Sequence, residues 1–550
     1  MTAPTVTTAA QLVRLRAEDD NPGLLFESDE WSWRQVVAES ERRGALLQDL
    51  RRDGPFHVGI LLENTSEYLF LLAGAALVGA TVVGINPTRR GAELATDITK
   101  TDCQLLITDS NQRGLLDGVD LGMGAERVLT CDSADYRKLL EDVTVTGRVP
   151  VEPAPDDLFL LIFTSGSTDG PKAVRMTHGR AARAAAGMGF TGDDVIYSAM
   201  PLFHGNALSA AVLPAFASGA TLALRRRFSA SGLLADVRQV RATYFNTVGR
   251  AISHLVATPP TEHDRDHQLR FVLGPETSAS DKAEFTRRFG VPLFEGYGSS
   301  ENAIILKPVG GARPGALGRA RERDDVVVVD ENGHERARAT FDAEGRLTNP
   351  AEAIGELVGR STLSNFEGYY NNPEAEAQRS RNGWYWSGDL AYRDDEGIFY
   401  FAGRTGDWLR VDSENFAAAP VERILGRFPG FSGVAVFAVP DARTGDQVMV
   451  AAEVPEGSSF DPSAFAAFLA AQPDLGTKWS PRFVRIVPAL PVTATDKIDK
   501  RPLRAVMWDT PDPVWHRVGR DQKFVPMARS DIEALRNEFA DNGRLDLLGR

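Results

Sequence analysis

The stretch F-T-S-G-S-T-D-G-P-K-A-V-R-M-T-H, residues 163–178, follows an apolar run at Leu158–Phe163 and combines hydroxyls, glycines and one lysine. A strand that ends in such a loop can wrap phosphate oxygens, because backbone N–H groups and hydroxyls donate hydrogen bonds to them. Lys172, one of nine lysines in the chain, adds a mobile positive charge. The Walker pattern G-x-x-x-x-G-K-[ST] is absent. A polar surface turn, the alternative interpretation, explains the many hydroxyls and the Pro-Lys ending less well.

Length and composition indicate a soluble protein of two or three domains. The chain has 550 residues, of which 43% are hydrophobic and 25% are charged. A net charge of −14 argues against sequence-independent binding of nucleic acid, which needs clustered basic residues. Cys103 and Cys131 have neither metal-ligand nor disulfide spacing, and the N-terminus lacks the pattern of a signal peptide. We therefore expect a cytoplasmic protein.

One uncharged stretch, residues 68–85, has two interpretations. Its 18 positions without charge are at the short end for a membrane-spanning helix. It is also rich in alanine and glycine, and Gly79 and Gly84 interrupt it. We favour a buried helix from Ser66 to about Val78, followed by a buried strand at Ala80–Ile85.

The first part of the chain alternates apolar runs with helical patterns, which indicates α/β layers with a largely parallel sheet. The predicted helices are Thr7–Ala17, Trp33–Leu50 and Gly91–Thr99. The other predicted strands are His57–Leu62, Cys103–Thr108, Arg127–Thr130, Leu158–Phe163, Asp194–Ser198, Thr221–Leu224, Ala242–Asn246 and Phe271–Leu273.

The pattern changes after about residue 350. Short strands are predicted at Gly355–Gly359, Trp384–Ser387 and Ile398–Ala402. A compact α+β pattern follows, with helices at Pro420–Arg427 and Pro462–Gln472 and strands at Gly433–Val439, Gln447–Val454 and Arg482–Ile486. We predict a domain at residues 1–403, a small second domain at 404–505 and a tail at 506–550 that packs on the body and ends in a helix, Ser530–Asn542. Arg404–Gly406 is the predicted linker.

Four further stretches carry polar groups suited to a nucleotide. In E-G-Y-G-S-S-E, Glu295–Glu301, an aromatic ring between glycines can stack on a base, and a nearby carboxylate can hold Mg²⁺ against phosphates. The aspartate of W-S-G-D-L, Trp386–Leu390, can accept hydrogen bonds from ribose hydroxyls. F-A-G-R-T-G-D, Phe401–Asp407, contains the predicted linker, and V-T-A-T-D-K-I-D-K, Val492–Lys500, places two lysines in one loop.

In order and spacing, these stretches resemble the motifs of the adenylate-forming superfamily of acyl- and aryl-CoA synthetases, luciferases and peptide-synthetase adenylation domains. That family carries [YF]-T-S-G-[ST]-T-G-x-P-K, Y-G-x-[ST]-E, S-G-D, G-R and T-G-K-I in this order. P-L-F-H at Pro201–His204 and the stretch Gly79–Pro87 are also similar to the family. Residues 403–422 and Asp512–Met527 look like the fatty-acid-transport-protein type of long- and very-long-chain synthetases.

The resemblance implies an α/β fold, with a large N-terminal domain of layered sheets and helices that binds ATP and the acyl group and a small, mobile α+β C-terminal domain. It implies that a carboxylate attacks the α-phosphate of ATP to give acyl-AMP, and that the CoA thiol then displaces AMP, with Mg²⁺ required. The first step needs no general base, because carboxylic acids are ionised near neutral pH. The expected substrate is a large hydrophobic acid, either a long- or very-long-chain fatty acid or a sterol-derived side-chain acid. An acyl-AMP ligase serving a carrier protein and a non-catalytic acyl- or nucleotide-binding relative are the alternatives.

The resemblance also implies roles for individual residues. The phosphates are assigned to Thr164, Ser165, Gly166, Ser167, Thr168 and Lys172. The adenine site is assigned to Gly274, Pro275, Glu276, Tyr297 and Gly298, and the ribose to Asp389 and Arg404. Ser300 is placed at the α-phosphate, Glu301 at Mg²⁺, Lys497 between the substrate carboxylate and the α-phosphate, and His204 at the mouth of the acyl pocket. CoA is assigned to Ser413 and Glu414, and the hinge to Gly406.

For two of these residues the sequence leaves alternatives open. His204 fits a helix cap or core histidine as well as it fits a catalytic group. The choice of Lys497 over Lys500 rests on register in the motif. Acyl-chain length, peripheral membrane association and dimerisation also remain open.

Three positions depart from the family pattern, since Asp169, Asp496 and Ser413 stand where it has glycine. Asp tolerates the left-handed backbone better than most residues do. Two like charges about 4 Å apart repel by roughly 4 kcal/mol at an effective dielectric constant near 20. We therefore hypothesise that the carboxylate of Asp169 points away from the phosphates or shares Mg²⁺, and that it slows the use of ATP; an unchanged Michaelis constant and turnover in Asp169→Gly would contradict this.

Overall fold

A computed structural model describes residues 6–164, 171–277, 279–310, 313, 315–411, 414–443, 445–476, 478–493, 497–517 and 523–549. Within these ranges the chain forms two compact units, Met1–Ile305 with Ser364–Gln378 and Leu306–Leu363 with Arg379–Arg550. A separate body beginning at residue 404 remains a prediction.

One sheet of the first unit has seven strands in the order β13-β12-β11-β9-β10-β1-β2. All neighbouring pairs are parallel except β1 and β2, which pair antiparallel. Its strands are β1 (Pro22–Phe26), β2 (Asp29–Ser32), β9 (Val195–Ser198), β10 (Thr221–Leu224), β11 (Tyr244–Asn246), β12 (Phe271–Leu273) and β13 (Leu293–Phe294). The carboxyl ends of β9, β11, β12 and β13 therefore meet at one edge, where open α/β sheets bind ligands.

The second sheet of this unit has six strands in the order β6-β5-β3-β4-β7-β8. It is parallel except for β7 and β8, which pair antiparallel across the hydroxyl-rich stretch. The strands are β3 (His57–Leu61), β4 (Thr81–Gly84), β5 (Cys103–Thr108), β6 (Val128–Thr130), β7 (Leu158–Thr164) and β8 (Lys172–Thr177).

The helices of the first unit include the four that were predicted, with bounds shifted by up to three residues, and others that were not predicted. They are α1 (Ala9–Arg14), α2 (Trp33–Asp49), α3 (Ser66–Val78), α4 (Gly91–Thr99), α5 (Ser110–Arg113), α6 (Ala134–Asp142), α7 (His178–Ala185), α8 (Gly205–Ala207), α9 (Leu213–Ser218), α10 (Leu233–Gln239), α11 (Gly249–Val256) and α12 (Ala279–Phe289). A π-helical turn, Leu208–Val212, joins α8 to α9. Short 3₁₀ turns lie at Gly114–Leu116 and Ala125–Arg127.

The uncharged stretch is a buried helix followed by a buried strand, as predicted. Helix α3 is buried from Tyr68 to Leu77 and ends at Gly79, whose φ is 69°. Its small residues allow α2 to approach closely, since a Cβ on Gly74 would lie 2.5 Å from the carbonyl oxygen of Ser40. Among the residues described, no helix combines the length and the apolar character that crossing a membrane requires.

The second unit contains an antiparallel sheet, a two-stranded ribbon and a five-stranded sheet. The first has the order β14-β15-β20-β19-β17-β16, with β18 paired to β19; the ribbon is β21-β22, and the third has the order β23-β24-β25-β26-β27. The strands of the first sheet are β14 (Leu306–Lys307), β15 (Ala316–Ala320), β16 (Val326–Val329), β17 (Gly355–Gly359), β18 (Ser380–Arg381), β19 (Trp384–Arg393) and β20 (Ile398–Arg404). The others are β21 (Trp408–Val411), β22 (Glu414–Ala417), β23 (Gly433–Pro440), β24 (Asp446–Glu453), β25 (Phe483–Ile486), β26 (Val514–Arg517) and β27 (Phe524–Pro526).

The remaining helices are α13 (Pro350–Ala353), α14 (Pro373–Arg379, most of which belongs to the first unit), α15 (Ala418–Leu425), α16 (Pro462–Ala470), α17 (Arg501–Val506) and α18 (Arg529–Asp541). Short 3₁₀ turns lie at Leu363–Asn365, Thr405–Asp407 and Leu545–Gly549. Two strands of the predicted tail belong to the five-stranded sheet, because β26 pairs with β25 and β27 pairs with β26. Phe539 of α18 is fully buried in an apolar cluster with Phe483 and Trp508.

Candidate active site

The hydroxyl-rich loop is closed at its base by the β7–β8 hairpin. Thr164 and Lys172 stand opposite each other in this antiparallel pair, and the Thr164 hydroxyl donates to the Lys172 carbonyl oxygen over 3.5 Å. The hairpin therefore holds the two ends of the loop together. Ser165, Gly166, Ser167 and Thr168, the other predicted phosphate contacts, lie outside the described residues, and so does Asp169.

A segment far along the chain extends the sheet beside Lys172. The Arg175 N–H donates to the Gly368 carbonyl over 3.1 Å, and the Tyr370 N–H donates to the Ala173 carbonyl over 2.8 Å. These bonds place Tyr369 next to β8, where its ring centroid lies 5.7 Å from Lys172 Nζ. Lys172 is 6% exposed. The position of this buried ammonium is thus set by the hairpin and by an aromatic face.

Tyr369 also contacts the predicted Mg²⁺ ligand. Its hydroxyl donates to Glu301 Oε1 over 2.7 Å, and both side chains are buried. The neighbouring backbone is held by Arg180, whose guanidinium donates to the Ser300 carbonyl. Within the described ranges, no group of three or more His, Cys, Asp and Glu side chains could enclose a metal. A single carboxylate of fixed orientation fits Mg²⁺, which is commonly held by one or two carboxylates together with nucleotide phosphates.

The predicted adenine residues lie at the carboxyl ends of β12 and β13. In the G-P-E loop, Gly274–Thr277, the Gly274 N–H donates to the Phe294 carbonyl over 2.9 Å and Glu276 has a φ of 64°. The loop approaches α11 so closely that a Cβ on Gly249 would lie 2.0 Å from the Glu276 carbonyl oxygen. Tyr297 follows β13 and is half-buried. Gly249 is therefore required for the position of the G-P-E loop.

The E-G-Y-G-S-S-E stretch is anchored at its first residue by helix α12. Lys282 Nζ lies 3.0 Å from Glu295 Oε1. Burial raises the pKa of the Glu295 carboxyl, and Lys282 opposes that shift. Glu295 thus positions the start of the stretch, while Tyr297, Ser300 and Glu301 lie further along it.

His204 caps the helix that follows it. Its Nδ1 accepts a hydrogen bond from the Asn206 N–H over 3.4 Å, so the helix-cap interpretation agrees with the geometry, and its role at the acyl pocket remains a prediction. Asn64 holds the preceding turn, because its side chain donates to the Met200 carbonyl and accepts from the Leu202 N–H, at 2.9 and 2.8 Å. A Cβ on Gly205 would lie 3.8 Å from Ser300 Oγ, so the start of this helix faces Ser300.

In the second unit the structure brings the two predicted ribose ligands together. Asp389 and Arg404 are opposite each other in the β19–β20 pair, and Asp389 Oδ1 lies 3.6 Å from Arg404 Nε. The preceding turn is held by Glu356, whose carboxylate accepts from the Gly388 N–H over 2.8 Å. Gly388 has a φ of 73° and therefore takes the left-handed backbone without strain.

The two candidate lysines differ in their surroundings. Lys500 Nζ lies 2.8 Å from Glu422 Oε1 and 3.4 Å from Asp407 Oδ2, with its side chain 13% exposed. Burial alone would raise the pKa of Asp407, but Lys500 and Arg504 lower it below the ordinary value. The Lys497 carbonyl accepts a hydrogen bond from the Thr493 N–H over 2.7 Å.

The predicted hinge and CoA residues lie close to this ion-pair cluster in the chain. Gly406 lies in the 3₁₀ turn Thr405–Asp407 and is exposed. Ser413 and Asp496 lie outside the described residues, and Glu414 is the first residue of β22.

Sequence reasoning missed the residues that position the predicted ones. Tyr369, Asn64, Gly249 and Glu422 belong to none of the motifs that carry the chemistry. For Tyr369 the available signal was the polar aromatic segment F-E-G-Y-Y-N-N-P, residues 366–373, but nothing in the sequence connects it to Glu301.

Comparison with known proteins identifies the class. Residues 13–370 match the family model described as AMP-binding enzyme, and residues 420–497 match that of the AMP-binding enzyme C-terminal domain. The chain belongs to the AMP-binding enzyme family. The predicted class, an AMP-forming acyl-CoA ligase that uses ATP, Mg²⁺ and CoA, is confirmed by these matches and by the relatives that follow.

The chain is 51% identical to a steroid-22-oyl-CoA synthetase from Rhodococcus jostii strain RHA1, over 98% of each chain. It is 42% identical to the medium/long-chain-fatty-acid–CoA ligase FadD17 of Mycobacterium marinum, over 92% of this chain and 98% of the relative. Among solved structures, ATP-bound MatB from Rhodopseudomonas palustris superimposes with a TM-score of 0.79 at 22% identity, over 91% of this chain and 99% of MatB. This last likeness confirms the predicted fold.

Proposed function

We propose that this enzyme activates a steroid-derived side-chain carboxylic acid as its acyl-AMP and transfers the acyl group to CoA. The observation that carries the proposal is the 51% identity to the steroid-22-oyl-CoA synthetase over nearly the whole of both chains. A medium- or long-chain fatty acid is the second candidate, favoured by the 42% identity to FadD17.

In the first half-reaction the acid's carboxylate attacks the α-phosphorus and pyrophosphate leaves, so the enzyme must align the reactants and stabilise charge. We assign the β- and γ-phosphates to Thr164, Lys172 and the loop 165–168. The buried position of Lys172 supports this, because a charge in a poorly solvated site acts more strongly on an anion.

Glu301 is the proposed Mg²⁺ ligand. When bound, Mg²⁺ neutralises phosphate charge. The hydrogen bond from Tyr369 to one carboxylate oxygen of Glu301 fixes the orientation of the carboxylate group, and with it the position of the second oxygen. We assign Ser300 to the α-phosphate region, since it directly precedes Glu301 and faces the helix start at Gly205.

For the nucleoside, we assign Tyr297 to stacking on adenine, with Gly298 and the G-P-E loop residues Gly274, Pro275 and Glu276 beside it. The positions of these residues at the carboxyl ends of neighbouring parallel strands support the assignment. We assign the ribose hydroxyls to Asp389 and Arg404, which are paired across two strands.

Lys497 is the proposed bridge between the substrate carboxylate and the α-phosphate. Its assignment is supported by the surroundings of Lys500, whose ammonium is occupied by two carboxylates and is thereby suited to a structural role. We further propose that residues 404–505 turn about Gly406 between the half-reactions and bring Ser413 and Glu414 to CoA.

The test is AMP release from ATP and Mg²⁺ with a panel of steroid side-chain acids and fatty acids, measured with and without CoA. The proposal expects AMP and thioester formation that need both an acid and CoA, with the highest kcat/KM for a steroid acid. Higher kcat/KM for a fatty acid would favour the second candidate. Accumulation of acyl-AMP without CoA turnover would indicate an acyl-AMP ligase that serves a carrier protein. If the protein is folded but releases no AMP with any acid of the panel, it is a non-catalytic relative.

The same preparation tests the two properties that the sequence left open. Sedimentation with lipid vesicles measures peripheral membrane association. Light scattering distinguishes a monomer from a dimer.

A further inference from the structure

We propose that the acyl group bound by this enzyme carries a ketone or hydroxyl oxygen within its apolar body, and that Asn246 and Tyr244 form hydrogen bonds to it. This inference rests on the proposed function and narrows its substrate class to oxygen-bearing, ring-containing acids, in preference to plain fatty acids.

Both residues belong to β11, which begins at Tyr244 and ends at Asn246. Asn246 is the last residue of β11 and pairs in parallel register with Ser198 of β9 and Leu273 of β12. The G-P-E loop begins directly after Leu273, and its Gly274 is a proposed adenine residue. The amide of Asn246 therefore lies at the carboxyl edge, where this part of the sheet meets its ligands.

The polar atoms of these two side chains are buried and have no hydrogen-bond partner among the described residues. Asn246 and Tyr244 are each 0% exposed. Neither amide atom of Asn246 is paired, and neither is the Tyr244 hydroxyl. Most buried side-chain polar groups in folded proteins are paired, so two on one strand face need an explanation. Residues two apart in a strand project from the same face, which puts both groups on one side of the sheet.

On that side of the sheet, the ring of Tyr244 lies among apolar side chains. Tyr244 packs between Phe190 and Phe271, with ring centroids 4.9 Å away in each case. The same cluster includes Ala207 and Leu208, from the helix that follows His204. Tyr244 is thus packed among apolar side chains of the kind that would contact a hydrophobic acyl group. Burial raises the pKa of the Tyr244 phenol, so its hydroxyl stays protonated and can donate.

The opposite face of the sheet shows the usual arrangement. Tyr197 of β9 is also buried, but its hydroxyl donates to Asp236 Oδ2 over 3.0 Å. Burial in this sheet therefore does not by itself leave a tyrosine hydroxyl unpaired. Tyr197 also provides a matched control for Tyr244.

The chemistry of the two side chains defines the ligand. A ketone oxygen accepts from the Asn246 amide nitrogen and the Tyr244 hydroxyl, and a ligand hydroxyl can in addition donate to Asn246 Oδ1. A saturated straight chain offers neither partner and leaves every one of these atoms unpaired. Sites built to hydrogen-bond a substrate oxygen discriminate strongly against analogues that lack it.

The experiment compares a steroid side-chain acid that carries a ring ketone or hydroxyl with the same acid lacking that oxygen. The wild type is expected to prefer the oxygenated acid by about tenfold or more in kcat/KM. Asn246→Leu, which replaces the amide by an apolar group of similar size, and Tyr244→Phe should each lower this preference several-fold. Tyr197→Phe should keep the wild-type preference.

Thermal unfolding with each acid gives a second measurement that does not depend on turnover. The oxygenated acid should raise the unfolding midpoint of the wild type more than its partner does, and Asn246→Leu should abolish the difference. Without ligand, Asn246→Leu should not lower the unfolding midpoint, because the amide it removes is unpaired and its loss leaves no other polar group without a partner.

Three results would overturn the inference: a wild type that does not distinguish the two acids, an unchanged preference in both β11 variants, or equal losses toward both acids. The last would show that the β11 groups are structural or pair with ordered water. If no acid of the panel supports AMP formation, the proposed function fails, and the difference in unfolding midpoint still decides the role of Asn246.

Discussion

Replacing Tyr369 by phenylalanine tests the link between a motif residue and a residue that no motif contains. The change removes only the hydroxyl that donates to Glu301 Oε1 over 2.7 Å. It retains the ring, whose centroid lies 5.1 Å from the ring centroid of Phe366 and 5.7 Å from Lys172 Nζ. The effect should therefore come from the Glu301 carboxylate, which loses a donor in a buried site.

The size of the effect follows from the charge of the acceptor. A hydrogen bond to a charged group contributes about 1.5–3 kcal/mol net. If the whole loss appears in the transition state for adenylation, kcat/KM for ATP falls by about 10- to 150-fold. The apparent Mg²⁺ requirement should rise at the same time, because Glu301 is the proposed metal ligand.

The assay is pyrophosphate release at varied ATP and Mg²⁺, with saturating acid. Tyr370→Phe is the matched control, since that hydroxyl donates to Asp102 Oδ2 over 2.8 Å and does not contact Glu301. A loss below about threefold in Tyr369→Phe, or an equal loss in the two variants, would refute the reasoning.

Three further predictions concern the two candidate lysines, a buried histidine and a glycine of helix α11. Lys497→Ala should abolish adenylation of the acid in a pyrophosphate-exchange assay. Lys500→Ala should retain more adenylation activity but lower the unfolding midpoint, because it removes the partner of two carboxylates. The reverse pattern would overturn the assignment. His178 is fully buried with neither ring nitrogen paired among the described residues, and burial lowers its pKa to about 4. As the pH is lowered, the unfolded state therefore binds the proton before the folded state does. The free energy of unfolding should fall by about 3 kcal/mol from pH 6.5 to pH 4. His178→Leu should flatten this part of the plot of unfolding free energy against pH, measured by urea unfolding. Gly249→Ala should displace the G-P-E loop, raise KM for ATP and lower the free energy of unfolding by about 1–3 kcal/mol. Gly187→Ala is the control and should have none of these effects, because the nearest atom to its added methyl group is 3.9 Å away.

Part of the order of the elements could be predicted, because it depends on local patterns. Apolar runs and helical periodicity located β5, β10, β12, β17 and α3 at the observed bounds. Several elements were not predicted, among them β1, β2, β8 and α7, and some predicted bounds were too short, as for the strand predicted at Trp384–Ser387, which continues to Arg393. Gly388 there takes a left-handed φ, and strand pairing on both sides keeps the strand continuous, which local propensity does not reveal.

The sequence by itself determined the chemistry of this protein. Hydroxyls, glycines, lysines and carboxylates at fixed spacings already indicated a phosphate loop, an adenine site, a metal ligand and a ribose site. Such residues can be recognised locally, because each motif holds its functional groups within a few positions of one another.

Only the tertiary structure decided which residues hold those groups in place and which polar atoms are left without a partner. Tyr369 contacts Glu301 from 68 positions away, and Lys500 is paired with carboxylates on two other elements. Asn246 is fully buried between the neighbouring strands β9 and β12. These facts arise from packing between distant segments, and no local pattern in a single sequence encodes them.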